Sequence, residues 1–319
     1  MEEDMNDRPI IIIDEKPEVI PGQSEGETPR IIIERDDDEG DGDAAPGRPR
    51  RRWMWTAFIL AGGLVCCLAA VAGYWYYRRY VNIGIPVSVT SGQNIERLRR
   101  PVRAVRPEVV MSTDSILGVG FNLYELRGLR AEVTLTEPDT ADHDVYLYSR
   151  SADFSSYDAD ENQYLGSLVM NGRAVQSDNS RLGYCAMANG NVVIGVARDE
   201  RVKDYCQEHG GSFFRQFVLV SCGVLPARFY LHGKVERRAI GRMGDRLYYI
   251  ESHGKEGMYE FADALREYGF TDAIYITGGS DHSFYRTADG TPHDIGDLSR
   301  RGEKHKGAGI VPWVVFRRR

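Results

Sequence analysis

From Trp53 to Tyr77 the chain runs for 25 residues without a charged side chain. A helix of that length, at 1.5 Å per residue, exceeds the ~30 Å hydrocarbon core of a bilayer, so the stretch predicts one transmembrane helix. Trp53 and Trp55 stand at one border and Tyr74, Trp75, Tyr76 and Tyr77 at the other, the arrangement of aromatic belts at headgroup depth. A buried soluble helix would show a polar stripe, and a cleaved signal peptide would not follow a polar stretch of 52 residues.

The span divides the 319 residues into unequal parts of different character. Residues 1–52 hold 16 Asp and Glu against 8 Lys and Arg, whereas residues 53–319 hold 31 against 32. The first part cannot bury enough apolar surface to offset the entropy of ordering, and it reads as a disordered acidic tail. Two aliphatic runs interrupt it, Ile10 to Ile13 and Ile31 to Ile33, each flanked by acids. Such runs suit strand addition to a partner's sheet edge, or are chance repeats in a degenerate tail. The remainder is nearly neutral and lacks the basic face that displacing counterions from nucleic acid requires.

Arg48, Arg50, Arg51 and Arg52 precede the span and Arg78 and Arg79 follow it, which favours a cytoplasmic N-terminus and a periplasmic or extracellular C-terminal part. Arg97, Arg99, Arg100, Arg103 and Arg106 compete with that assignment, or neutralise lipid headgroups where the chain leaves the bilayer. Residues 78–108 read as a juxtamembrane linker, and 109–319 as the folded domain. Cys66 and Cys67 fall inside the span, which leaves Cys185, Cys206 and Cys222 beyond it. A Cys185–Cys206 bridge would add ~3 kcal/mol in an oxidising compartment; three buried thiols are the alternative.

Beyond Ile85 short strands alternate with turns. Ala131 to Thr136 and Asp144 to Tyr148 alternate apolar with polar, while Asn191 to Ala197, Phe213 to Val220 and Leu247 to Ile250 are β-rich runs. Ser149 to Asn162 reads as a loop, and Gly309 to Phe316 as the last strand. Met258, Phe261, Ala262, Leu265 and Tyr268 recur at helical spacing, and Gly269 stops the helix. Asp272 to Ile276 then forms a buried strand that runs into Thr277-Gly278-Gly279-Ser280-Asp281-His282-Ser283. These patterns give an α+β fold: a mixed β-sheet domain with few helices, behind one transmembrane helix and a disordered tail.

The helix, the Gly269-to-Ile276 strand and the Gly-Gly-Ser turn resemble the C-terminal signature of the phosphodiester glycosidase family. Gly210-Gly-Ser-Phe-Phe-Arg-Gln-Phe217 is similar to that family's glycine-rich aromatic segment, and Arg237-Arg-Ala-Ile-Gly241 to its Arg-x-Ala-x-Gly element. The likeness covers roughly 183–316 in family order. It implies hydrolysis of a sugar-1-phosphate linkage, with a glycosyl-phosphodiester or other anionic glycan as substrate. One departure stands out: the family carries Asp-Gly-Gly-Gly-Ser after the strand, and here Thr277 begins the turn. Without that aspartate the chain either uses another acid or is a non-catalytic binding or scaffold relative.

A phosphodiester calls for fixed donors, and a guanidinium fork holds two phosphate oxygens at once. Arg215, Arg237 and Arg238 are the candidates. Neighbours on a strand face opposite ways, so only one of Arg237 and Arg238 meets a pocket; Arg238, before the small Ala239 and Gly241, is preferred. Backbone groups of Gly278 and Gly279, with the Thr277 and Ser280 hydroxyls, suit an anion nest, though Gly-Gly after a strand is also a plain turn. Asp281 and His282 are the titratable neighbours able to activate water, or members of a solvated loop. Asp142-His143-Asp144 cannot turn three consecutive side chains on one ion and reads as a surface turn; no metal ligand set is assigned, and any cofactor is left open. No hydrolase elbow, Walker, dinucleotide or zincin motif opens a helix.

Overall fold

The computed structural model describes residues 50–76, 84–85, 89–151, 154–156, 162–164, 166–178, 181–229, 231–279, 281–296 and 311–319. For residues 50–57, 76, 154–156 and 162–164 the backbone alone is described. The tail with its Ile10 and Ile31 runs, the linker arginines Arg78 and Arg79, and Ser280 lie outside these residues.

The apolar stretch is helix α1 (Arg50–Tyr76), whose Phe58–Trp75 window has a mean hydropathy of 2.0 and no burial. It is long and apolar enough to cross a membrane. The chain divides into two units inside α1, at Gly62/Gly63, and every later element belongs to the second. Those elements are α2 (Ser91–Arg99), β1 (Glu108–Ile116), β2 (Val119–Arg127), β3 (Leu129–Thr134), β4 (Val145–Arg150), β5 (Phe154–Ser156), β6 (Asn162–Tyr164), β7 (Leu168–Met170), β8 (Arg173–Gln176), β9 (Gly183–Ala188) and β10 (Asn191–Val196). There follow α3 (Arg201–Glu208), β11 (Ser212–Gln216), β12 (Val218–Val220), β13 (Val235–Met243), β14 (Arg246–Glu256), α4 (Met258–Tyr268), β15 (Asp272–Gly278), β16 (Ser283–Arg286), β17 (Pro292–Ile295) and β18 (Trp313–Arg318).

The fold is α+β, and every strand pairing among the described residues is antiparallel. Three sheets carry it, in the orders β1-β2-β14-β13-β15-β12, β10-β9-β11-β7-β8 and β17-β16-β4-β18-β3. Hairpins β7–β8 and β9–β10 close on Asn171-Gly172 and Asn189-Gly190, with φ positive at both residues of each pair. Asn-Gly is the pair that tolerates the doubly left-handed turn matching strand twist.

One face of each sheet meets a common core. Ile240, Tyr249, Ile274 and Ile276 come from the first sheet, Cys185, Met187, Ile194 and Phe214 from the second, and Leu147, Val314 and Phe316 from the third. The outer face of the first sheet packs Phe121, Ala239, Ile250 and Tyr275 against Phe261 and Leu265 of α4. Gly269, at φ 111°, ends α4 in the left-handed conformation, and its N–H returns to the last turn. Phe213 to Val220 breaks into β11 and β12 of different sheets. Strand β4 is buried on both faces rather than alternately, because Val145 and Tyr148 pack with Phe284, Trp313 and Val315 on the side away from the core.

Two sequence readings change, and one that was left open is decided. The stretch Ser149 to Asn162 holds the end of β4 and all of β5, which pairs with β6 starting at Asn162. Helix α2 lies in the segment read as linker, buries Leu98 and packs with Val193, Tyr205 and Phe213; its Arg99 pairs with Glu96 rather than standing free. Cys185 and Cys206 are free buried thiols, Cys185 in the common core and Cys206 in the cluster on the opposite face of its sheet. Thiols on opposite faces cannot bridge without unpicking the sheet.

Candidate functional site

Strands β13, β14, β15, β16 and β4 bring an unusual density of buried polar groups to one place. Arg238 is 1% exposed, and its Nε and Nη2 both donate to Glu251 Oε1, at 3.1 and 2.9 Å. The two residues are cross-strand partners on β13 and β14. Arg238 Nη1 donates to the Gly279 carbonyl at 3.3 Å, so the preferred arginine and the glycine corner do meet. Burial works against the Arg238 charge, yet Tyr249, Glu251 and Asp281 outweigh it and the net shift of its pKa is upward.

Asp281 follows that corner. Arg150 Nη1 of β4 lies 3.1 Å from Asp281 Oδ1, and Thr277 Oγ1 donates to Oδ2. Both partners of the ion pair are buried. Gly296, at φ +81°, closes the group: a Cβ there would stand 2.2 Å from the Asp281 carbonyl and 2.8 Å from Arg238 Nη2. Beside it, Tyr249 Oη donates to Ser283 Oγ at 3.0 Å, and Ser283 Oγ donates to Ser149 Oγ at 2.9 Å. Burial pushes the Tyr249 phenol up to about 12, against the opposing pull of Arg238.

His282 is almost wholly buried between two acids. Its Nε2 is 2.8 Å from Asp294 Oδ1 and its Nδ1 is 3.4 Å from Glu137 Oε1. The Tyr148 ring packs edge-on against the imidazole, and its hydroxyl donates to Glu137 at 3.2 Å. Burial disfavours the imidazolium, but the hydrogen bonds to Glu137 and Asp294 prevail and raise its pKa above 6.5. An imidazole held between two acids in this way orients the loop that carries it.

The remaining sequence candidates lie elsewhere. Arg237 turns to the α4 side of the sheet, where its guanidinium donates to the carbonyls of Glu256 and Gly233 and lies over Tyr275. Arg215 projects from β11 toward the start of α3, pairing with Glu200 and donating to the Arg181 carbonyl. The Gly279 N–H is spent on the Glu236 carbonyl at 2.9 Å, and the Gly279 carbonyl is what meets Arg238. Ser280 is outside the described residues. Asp142 and Asp144 pair with Arg317 and Arg318 at a surface turn.

Sequence reasoning passed over Glu251, Arg150, Tyr249 and Glu137. Glu251 carried a faint signal, an acid directly after the apolar run Leu247 to Ile250. Arg150 and Glu137 had none, since the third sheet alone brings them in from more than 100 residues away. The cleft of about 380 Å³ lined by Arg228, His232, Lys234 and Tyr259 is not at this cluster but beside α4. Convergent buried polar groups mark the Arg238 cluster as the candidate site in preference to that cleft.

No family model matches the sequence, and no curated protein is similar to it. Among solved structures the fold is similar to the zebrafish N-acetylglucosamine-1-phosphodiester alpha-N-acetylglucosaminidase catalytic domain, auto-inhibited by pro-peptide, with a TM-score of 0.47 and 14% identity over 70% of this chain and 86% of that one. A hypothetical protein from Synechocystis is similar with a TM-score of 0.40 and 10% identity, over 66% and 62% of the two chains. These are distant likenesses of fold and bear on no residue of the site.

Proposed function

We propose that the chain is a membrane-anchored hydrolase of a glycosyl-phosphodiester, working from the Arg238 cluster. In this reading α1 is the anchor, the acidic tail is cytoplasmic and open to a protein partner, and the domain faces the periplasm or exterior. The carrying observation is that the buried Arg238 guanidinium meets the Gly279 carbonyl, shares the neighbourhood of Gly296 with the Asp281 backbone, and feels the charge of the Asp281 carboxylate.

Arg238 would hold two phosphate oxygens with its fork, exchanging its bond to Glu251 for the substrate. A phosphate on an anomeric carbon leaves readily, so the demand is for a group that takes a proton from water. Asp281 has that role: water oxygen bonds to the anomeric carbon, the carbon–oxygen bond to phosphate breaks, and a phosphomonoester departs. Thr277, where the resembled family has aspartate, donates to Asp281, so the carboxylate reaches the same corner from four residues further on. His282, clamped by Glu137 and Asp294, positions Asp281.

A specific observation favours a second reading, an envelope binding or scaffold protein. Arg238 and Arg150 are each neutralised by a carboxylate, and the Gly279 amide is already bonded. The test is incubation of the full chain with a model glycosyl-phosphodiester, measuring free sugar and phosphomonoester. Hydrolysis that falls at least tenfold in Arg238→Ala and Asp281→Asn but not in Arg215→Ala supports the enzyme. Binding without release supports the scaffold, and neither binding nor release removes both.

A further inference from the structure

The cleft beside α4 has a composition the Arg238 cluster does not share. Its walls are residues 227–229 and 231–234 and the start of α4, and it holds about 380 Å³. From Ser221 to Val235 the loop has no Asp or Glu, while Arg228, His232 and Lys234 are exposed around the cleft. Phe229 and Leu231 are half-buried against the α4 core, and the exposed Tyr259 ring packs edge-on against Phe229. Cations interleaved with apolar and aromatic groups are the composition of a surface seated at headgroup depth. One acid, Glu260, lines the cleft, and its carboxylate folds back onto Gly257 at the start of α4.

Connectivity adds an independent argument. A Cβ on Gly84 would stand 2.4 Å from the Ala227 Cβ, so the chain at Gly84 lies against this loop. Ile85 is buried with Val196 and Val218, which fixes that point to the domain. From Tyr76, the last residue of α1, to Gly84 is eight peptide steps, and at about 3.5 Å each they reach at most about 28 Å. With α1 as the membrane span, Gly84 is held within that distance of the end of the span and the loop begins beside it at Ala227, on the side where anionic lipid attracts Lys and Arg.

We infer that the cleft between loop 227–234 and the start of α4 binds the phosphate headgroup of an anionic membrane lipid and seats this face of the domain on the bilayer. The test compares amide hydrogen exchange of the loop in the full chain, reconstituted in nanodiscs of phosphatidylcholine alone or of phosphatidylcholine with phosphatidylglycerol. The expected result is several-fold slower exchange across 224–234 in the anionic discs, abolished by high salt and by the combined variant Arg228→Gln, His232→Gln, Lys234→Gln. These side chains are exposed, and unchanged exchange of β13 and β14 serves as the folding control. Equal rates in the two discs overturn the inference, as does slowing that survives high salt. Slowing reproduced by millimolar inorganic phosphate in phosphatidylcholine discs assigns the cleft to a soluble anion and overturns the lipid assignment.

Discussion

Arg238 and Glu251 face each other across β13 and β14, the guanidinium placing two N–H groups on a single carboxylate oxygen where almost no solvent reaches. Removing one member leaves a buried charge unpaired, which costs about 3–5 kcal/mol, whereas replacing both by apolar residues of similar volume is near neutral. Glu251→Ala should therefore lower the unfolding free energy by about 3–5 kcal/mol, and the double variant Arg238→Met/Glu251→Leu should recover most of the loss. Urea unfolding followed by circular dichroism measures both; a Glu251→Ala loss no larger than that of an exposed pair would remove the claim of a desolvated bond.

His282 makes stability depend on pH with a definite sign. Its folded pKa is raised above the unfolded value of 6.5 by Glu137 and Asp294, despite burial. The contribution is complete below 6.5 and fades as pH rises through the folded value. The melting temperature should fall over that interval in the native sequence, and the decline should flatten in His282→Gln. A steeper decline in the variant would contradict the clamp.

Two glycines beside the arginine should respond differently to alanine. At Gly279, with φ +69° and open space where a Cβ would stand, the change costs the left-handed penalty of about 1–2 kcal/mol. At Gly296 the same penalty is joined by collision with the Asp281 carbonyl, a backbone atom that has no free room. Gly296→Ala should be the more damaging in thermal melts, and it should disturb Arg238 while Gly279→Ala does not.

The thiols should separate by reactivity. Burial pushes Cys206 up to about 12 and Cys185 further, so neither forms thiolate at neutral pH. A maleimide reagent should label Cys222, which is partly exposed, and reach Cys185 and Cys206 only after denaturation. A tryptic peptide joining Cys185 to Cys206 in mass spectrometry would refute their placement on opposite faces of the sheet.

Strong local patterns carried over into the structure. Phe261 and Leu265 recur at helical spacing and Gly269 ends that helix, because the period and the cap are properties of adjacent residues. Helix α2 escaped notice although Thr90 and Gln93 form its capping box, since a nine-residue helix with Ile95 and Leu98 as its two large apolar side chains offers little periodicity. Arg238 was separable from Arg237 by strand alternation alone, and the structure does turn the two to opposite faces.

What the sequence by itself determined was the apolar helix, the strand-rich domain, the α4–β15 unit and the neighbourhood of Arg238 and the glycine corner. These depend on chain-local quantities: charge-free length, hydrophobic period and turn residues. The tertiary structure alone decided that Glu251 pairs with Arg238 and Arg150 with Asp281, that Arg215 pairs elsewhere with Glu200, and that Cys185 and Cys206 stay apart. Those pairings come from sheet order and register, which are fixed when three sheets close on a common core. A buried charge then takes whatever partner that closure brings, because leaving it unpaired costs more than any local preference can return.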